Sequence, residues 1–225
     1  MEIIISHDVD HLYLKEHWKD SYVPGLLLRS FKSIIKGGVS PLKVPGRFTW
    51  KLNRVKELRE YNKSLGINET YFFGMRNGLN LSYKWNDAKP FIDYLLNENI
   101  LIGLHGMGYD NKDLLKEEKE RIKTMLPDDY PLGIRNHYLR LGDQTLTYMN
   151  ELGFAYDSTR YELSDPWKIG DMWEIPISVM DSRFINLYKN NSDELKKRSL
   201  ELLKEAEGKN LNYFAINFQF CNLKN

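Results

Sequence analysis

The amino-acid sequence predicts an α/β fold built on a parallel sheet, and three observations support this prediction. Apolar stretches of strand length alternate with helix-patterned stretches through short connections, which is typical of parallel sheets. At 225 residues, with 42% hydrophobic residues, the chain is long enough for one large α/β domain over residues 1–225. Polar side chains recur where predicted strands end, and α/β folds bind ligands at the carboxyl ends of their strands.

Each predicted element has a local cause. Short apolar runs indicate buried strands, and apolar residues at three- and four-residue spacing indicate helices. The fourth strand should be short because only Leu132-Gly133-Ile134 lies between Pro131 and Arg135. Pro176 lacks a backbone N–H, so its strand is expected at a sheet edge or a bulge. The predicted strands cover residues 3–5, 69–74, 100–105, 132–134, 154–157, 173–179 and 211–220, and the predicted helices cover residues 26–36, 51–64, 87–97, 114–125, 145–152 and 192–207.

Composition excludes several classes of protein. Because Cys221 is the only cysteine, the chain cannot form an internal disulfide or a cysteine-based zinc cluster, and any metal must be held by His and carboxylate groups. The first residues lack the pattern of a secretory signal, and no apolar run reaches the roughly 18 residues of a bilayer helix. We therefore expect a cytoplasmic protein. The net charge of +1 predicts no general attraction to nucleic acid.

The charge is unevenly spread, because residues 21–56 contain basic residues and no acidic one. This segment includes the predicted amphipathic helix over 26–36. Two roles remain open for that helix: it covers the sheet, or it docks on an anionic membrane surface.

The polar groups at the strand ends predict a single site. Asp8 and Asp10 follow the first strand, His105 ends the third, Arg135 and His137 follow the fourth, and Asp157 ends the fifth. A parallel sheet that closes into a barrel brings these ends to one face, where carboxylates and imidazoles can hold a divalent metal. An Asp after a strand can also simply cap the next turn.

Five segments together resemble the polysaccharide deacetylase family, the NodB-homology group that includes carbohydrate esterase family 4. They are Ser6-His7-Asp8-Val9-Asp10, Ile102-Gly103-Leu104-His105-Gly106, Arg135-Asn136-His137-Tyr138-Leu139-Arg140, Tyr156-Asp157-Ser158-Thr159 and Glu174-Ile175-Pro176. Their order and spread match the family, of which the chain would be a divergent member. The resemblance implies a distorted (β/α) barrel of about seven parallel strands. It also implies removal of acetyl groups from N-acetylated sugars with a divalent metal, with zinc as the expected ion.

The resemblance assigns metal roles to the first two motifs. Asp8 would be the general base and Asp10 a metal ligand, although Val9 splits the pair and leaves open which Asp does which job. His105 would be the second ligand. The family has another His four residues later, where this chain has Tyr109. We hypothesise that His137, at a neighbouring strand end, supplies the missing imidazole.

Further roles follow from the later motifs. Arg135 would pair with the base carboxylate and orient it, the backbone N–H of Tyr138 would help to hold the oxyanion, and Asp157 would orient a residue of the site. The family's last motif carries a His that acts as general acid.

That general acid has no counterpart in the last predicted strand. Asn217 or Gln219 stands where the imidazole is expected, and neither side chain can donate a proton in acid catalysis. His7 and His11 are the alternatives for this role. Two further alternatives stay open: turnover is poor, or the chain ends before the missing element.

The resemblance implies a metal-dependent deacetylase in surface polysaccharide biosynthesis, such as that of O-antigen or capsule. Its partner would be an N-acetylated saccharide, nucleotide- or lipid-diphosphate-linked, which the basic segment would suit. Two alternatives stay open: a catalytically weakened relative that binds saccharide, and an amidase of the same fold that acts on a non-sugar amide.

Overall fold

The computed structural model describes residues 1–17, 22–35, 52–183 and 192–219, which form nine strands and six α-helices. The strands are β1 (Glu2–Val9), β2 (Glu69–Gly74), β3 (Leu101–Gly106), β4 (Gly133–Asn136), β5 (Tyr156–Asp157), β6 (Trp167–Ile169), β7 (Met172–Glu174), β8 (Val179–Met180) and β9 (Tyr213–Gln219). The helices are α1 (Tyr22–Ile35), α2 (Val55–Ser64), α3 (Lys89–Asn97), α4 (Lys112–Lys123), α5 (Thr145–Glu151) and α6 (Ser192–Gly208).

All nine strands belong to one sheet in the order β6-β7-β5-β4-β3-β2-β1-β9-β8. Within it only the β6–β7 pair is antiparallel, and the sheet curls into a half-barrel. This confirms the predicted distorted (β/α) barrel. The described residues contain nine strands where about seven parallel strands were expected, because the three-residue β6 carries too little pattern to be recognised and one predicted strand divides into β7 and β8.

The prediction of a single strand over 173–179 was wrong. It divides into β7, which lies next to β5, and β8, which lies next to β9 on the other side of the half-barrel. Between them, Ile175 N donates to Asp157 O and Ser178 N donates to Ala215 O, both at 2.8 Å. Pro176 has no N–H to continue either ladder, so the chain crosses between the two sides at this point.

The sequence also hid the short hairpin formed by β6 and β7. Its turn contains Gly170, whose φ of +60° lies in the left-handed region that glycine adopts without strain. Residues 170–171 connect two three-residue strands, which are too short to show alternation.

The main hydrophobic core lies between the sheet and the helices that follow β2, β3 and β4. It joins apolar side chains of the strands to those of α3 and α4, such as Phe73, Leu104 and Ile134 with Ile92 and Ile122. A second, smaller cluster packs α6 against β8 and β9 through Val179, Ala206 and Phe214.

Among the described residues, no helix is long and apolar enough to cross a bilayer. Lys36, the last residue of the predicted helix over 26–36, lies outside the described residues, as does Cys221.

Candidate metal centre and active site

The sheet brings the candidate site residues together from three strands. Alternation along β1 directs Asp8 and Asp10 to the same side. The register pairs Gly74 of β2 with His105 of β3, and His105 with Arg135 of β4. His137 follows β4 directly, in a short 3₁₀ turn. These side chains are buried, although they come from distant parts of the chain.

Three donor atoms of Asp10, His105 and His137 face one another. His137 Nδ1 lies 2.9 Å from His105 Nε2, and Asp10 Oδ1 lies 3.2 Å from His105 Nε2 and 3.4 Å from His137 Nδ1. Ligand atoms about 2.0–2.2 Å from a tetrahedral ion are roughly 3.3–3.6 Å apart. The three atoms therefore need only a small outward shift to coordinate one ion.

Hydrogen bonding at the outer nitrogens fixes the tautomer of both imidazoles. His105 Nδ1 lies 3.0 Å from Arg135 O, and His137 Nε2 lies 3.0 Å from Leu79 O. A carbonyl oxygen only accepts, so each outer nitrogen carries the proton and each inner nitrogen of a neutral ring presents a lone pair. Asp10 Oδ1, which faces these lone pairs, accepts no hydrogen bond from a described residue. Three acceptors thus converge, an arrangement that fits a bound cation.

Charge and burial act in opposite directions on this cluster. Burial favours the neutral form of Asp10, but the imidazoles of His105 and His137 close to its carboxylate outweigh burial and hold the pKa of Asp10 well below its usual value. Burial also disfavours the charged form of His105, while the Asp8 charge and contact with Asp10 outweigh it and raise the pKa of His105. The cluster therefore attracts positive charge, as a metal site does.

Asp8 is not part of the triad but is held beside it by two polar side chains. Its Oδ1 accepts from Arg135 Nη1 at 2.9 Å, and its Oδ2 accepts from Asn217 Nδ2 at 2.7 Å. Asn217 Oδ1 in turn accepts from Arg135 Nη1 at 2.8 Å. Each oxygen of a carboxylate has two acceptor positions, so one on each Asp8 oxygen stays available.

All five N–H groups of the Arg135 guanidinium have partners. Besides the two bonds of Nη1, Nε donates to Ser158 O at 2.9 Å, and Nη2 donates to Ser6 Oγ at 2.9 Å and to Ser158 Oγ at 2.8 Å. The ring of Phe72 lies 4.3 Å from the guanidinium carbon. Arg135 is only 1% exposed, so this set of partners compensates a charge removed from water.

Asn217 also belongs to this network, although no motif predicted that it would bind the Asp8 carboxylate. It pairs in register with Ser6, two residues before Asp8, and is fully buried. The signal available in the sequence was an amide inside an apolar strand, since a buried amide needs partners. The side chain of Gln219, the other residue considered at this position, lies outside what the structure describes.

Tyr138 lies at the edge of the site and is 52% exposed. Its backbone is in the left-handed region, with φ of 57°, and its hydroxyl donates to Leu79 O at 3.1 Å. Leu79, which no motif indicated, therefore accepts from both Tyr138 and His137. Leu79 itself has φ of 49° in a tight turn closed by two hydrogen bonds between Gly78 and Leu81.

Asp157 does not contact Arg135 directly. The register pairs it with Ile134, a core residue, so alternation places Ser158 and not Asp157 on the Arg135 side. Asp157 instead accepts from Thr159 Oγ1 at 2.5 Å and lies opposite Glu174 of β7, whose carboxyl group is also buried. Its predicted orienting role can act only through Ser158 and the local backbone.

The two histidines considered as general acids have different surroundings. His7 lies on the other side of β1, where its Nε2 is 2.9 Å from Glu69 Oε2, and it is 1% exposed. That geometry makes His7 a structural residue. His11 follows Asp10 and is partly exposed, and its ring packs edge-on against that of His17 at 4.6 Å.

No protein-family model and no curated protein matches the sequence. Solved structures do match the fold. A protein from Mycobacterium smegmatis described as a polysaccharide deacetylase has a TM-score of 0.63 at 14% identity, covering 97% of this chain and 76% of its own. A Bordetella bronchiseptica protein described as a polysaccharide deacetylase involved in O-antigen biosynthesis has a TM-score of 0.52 at 13% identity, covering 97% and 71%.

The chain has the fold of the polysaccharide deacetylases. A third similar structure, the wild-type form of a carbohydrate esterase family 4 pseudoenzyme from Bacillus anthracis, has a TM-score of 0.47 at 11% identity, covering 96% of this chain and 63% of its own. The fold implied by the sequence resemblance is thus confirmed, while the roles of individual residues stay predictions.

Proposed function

We propose that this chain is a divalent-metal-dependent hydrolase that removes N-acetyl groups from a saccharide. The observation that carries the proposal is the convergence of Asp10, His105 and His137 as three acceptors, beside an Asp8 carboxylate held by Arg135. Three protein ligands that leave a position open are the donor set of catalytic zinc, and zinc is the ion that we expect. One domain over residues 1–225 would carry the activity.

Each residue of the site has a separate proposed role in hydrolysis. A divalent ion held by the triad supplies Lewis acidity toward a carbonyl oxygen and makes water more acidic. Asp8 takes the proton of the attacking water, while Arg135 and Asn217 keep its carboxylate oriented. The Tyr138 N–H donates to the oxygen that gains charge. Breaking the C–N bond yields acetate and an amine that must be protonated, and no side chain is assigned to that step.

The proposed substrate is an N-acetylated saccharide linked to a nucleotide or a lipid diphosphate, in a cytoplasmic step of surface polysaccharide assembly. The acid-free segment 21–56 supports an anionic carrier, and one structural relative is described as involved in O-antigen biosynthesis. An amidase of the same fold that acts on simple amides is the competing substrate class.

A specific observation also favours a second function, a saccharide-binding relative with weak or no turnover. Asn217 occupies the strand where the family resemblance places an acid imidazole, and its amide binds both Asp8 and Arg135. Proton donation to the leaving amine then has no assigned group on this strand.

Metal analysis and acetate release test the proposal together. We expect one zinc per chain after purification without chelator, and acetate released from N-acetylated sugars in preference to simple amides. His137→Ala should weaken zinc affinity by more than about 10–100-fold, which is the usual loss when only a hydrogen-bond partner of a metal ligand is removed. His17→Ala, which removes a buried imidazole outside the triad, is the matched control. Protein that is purified free of metal and also fails to bind zinc would refute the metal-dependent hydrolase, and zinc binding without turnover would favour the second function.

A further inference from the structure

We propose that the exposed apolar face of α1 docks on the surface of an anionic lipid bilayer. The exposed fractions are 54% for Leu27, 54% for Leu28, 62% for Phe31 and 69% for Ile35. Single exposed apolar residues are ordinary on a soluble surface, but large contiguous apolar patches mark binding sites.

These four residues form one face. A helix turns about 100° per residue, so their positions fall within about 100° of arc. Val23 and Ser30 lie on a neighbouring arc and are 7% and 2% exposed. Val23 packs in a small cluster with Leu14 and Leu52, which ties α1 to the rest of the protein. The apolar face is therefore separate from the side by which the helix is attached.

The charge around α1 complements an anionic surface. Lys32 lies in the last turn and is exposed, and no acidic residue lies in the first turn. The whole segment 21–56 lacks Asp and Glu. Its basic residues are Arg29, Lys32, Lys36, Lys43, Arg47, Lys51, Arg54 and Lys56. An exposed apolar face on a helix that carries Lys32, within a stretch of sequence that is basic and free of acids, is the pattern of helices that lie in the interface of anionic membranes.

A bilayer suits this surface better than a second copy of the chain. Self-association through α1 would bring two acid-free basic segments together, and their repulsion would oppose contact. Anionic headgroups would neutralise the same charges while acyl chains cover the apolar side chains. This docking does not depend on the proposed deacetylase activity.

The test is flotation of the full chain with vesicles of phosphatidylcholine alone, or of phosphatidylcholine and phosphatidylglycerol in equal parts. We expect binding to the anionic vesicles only, weakened by salt. Leu27→Ser with Phe31→Ser should reduce the bound fraction on the order of tenfold. The control is Tyr61→Ser with Leu65→Ser, an equally spaced pair at the end of α2 with exposed fractions of 62% and 56%.

Circular dichroism and thermal unfolding establish that both double variants fold. Lys32→Glu should weaken binding to anionic vesicles without altering the fold. The proposal is overturned if wild type floats with neither vesicle, or if the two double variants lose binding equally. It is also overturned if lipid-free sedimentation shows a dimer that only Leu27→Ser with Phe31→Ser dissociates, because the face would then belong to a second copy.

Discussion

Arg135 is the residue on which the interior of the site depends. A guanidinium stays charged, and at 1% exposure it cannot be hydrated. Asp8 is its only carboxylate partner within ion-pair distance among the described residues, at 2.9 Å. Removing one member of a buried pair leaves an uncompensated charge, so the same carboxylate that we assign to catalysis also stabilises the fold.

We expect Asp8→Asn to lose both activity and stability. Loss of a general base should lower kcat by about 10²–10⁴. Arg135 would be left with neutral partners only, so the free energy of unfolding should fall by about 3–5 kcal/mol. Urea unfolding and acetate release, measured well below the lowered melting temperature, separate the two effects. If the Asp8→Asn variant is as stable as wild type, Asp8 does not compensate the buried charge of Arg135.

Asn217→Ala should act on turnover and not on substrate binding. Asn217 contacts Asp8 and Arg135, so its loss frees the base to rotate, and we expect kcat to fall on the order of tenfold with KM nearly constant. Asn53→Ala is the matched control, since Asn53 is a buried amide that donates to Leu12 O at 2.8 Å. The positioning role is refuted if Asn217→Ala and Asn53→Ala have the same kcat, or if Asn217→Ala raises KM without changing kcat.

At the scale of elements, glycines let the strands carry large side chains close to the site. A Cβ on Gly103 would lie 2.4 Å from two carbons of the Phe72 ring, and one on Gly133 would lie 2.0 Å from the Tyr156 ring. Phe72 therefore fills the space that a side chain at Gly103 would take, and its ring also packs against the guanidinium of Arg135. The flat surface of β3 is part of what holds the guanidinium.

Gly103→Ala should consequently disturb both the core and the site. The added methyl group has no room, so we expect the free energy of unfolding to fall by about 1–3 kcal/mol and kcat to decrease as Phe72 moves toward Arg135. Gly208→Ala is the control, because no atom lies within 4 Å of a Cβ there. Chemical denaturation with activity assays measures both. Equal stability of the two variants would contradict the packing argument.

For the whole molecule, the crossing at residues 174–180 joins the two sides of the curled sheet. At its start Glu174 lies opposite Asp157, and both carboxyl groups are buried. Burial raises the pKa of Asp157, and burial together with the Asp157 charge raises the pKa of Glu174 to about 9. Glu174 therefore keeps a proton in the folded protein and donates it to Asp157.

This proton makes stability depend on pH. An unfolded Glu titrates near about 4.3, so from there up to about 9 the folded protein holds a proton that the unfolded chain has released. The contribution of Glu174 to the free energy of unfolding is therefore largest at low pH and is lost as pH rises to about 9.

Glu174→Gln keeps a neutral donor opposite Asp157 at every pH. We expect the stability of the variant, relative to wild type, to increase between about pH 6 and pH 9 by on the order of 2 kcal/mol. Urea unfolding of both proteins across this pH range measures the difference between their free energies of unfolding. Groups that titrate equally in both proteins cancel in this difference. Parallel pH profiles would show that the two carboxyl groups do not share a proton.

The sequence predicted most strands and helices because period and length are local properties. The strand over 69–74 coincides with β2, and the helix over 192–207 with α6 to within one residue. The strand over 173–179 failed because pairing partners are not local: the same apolar run serves two sides of the sheet. The hairpin of β6 and β7 was missed because three residues carry no usable period.

The sequence by itself determined the alternating α/β order and the strand ends at which Asp8, Asp10, His105, Arg135 and His137 stand, since both follow from the order of residue types. Only the tertiary structure decided which of these atoms meet. Strand register placed Ser158 rather than Asp157 on the Arg135 side, and backbone carbonyls directed the inner nitrogens of His105 and His137 at each other. Contacts between residues 30 or more positions apart depend on the curl of the sheet, which no local pattern encodes.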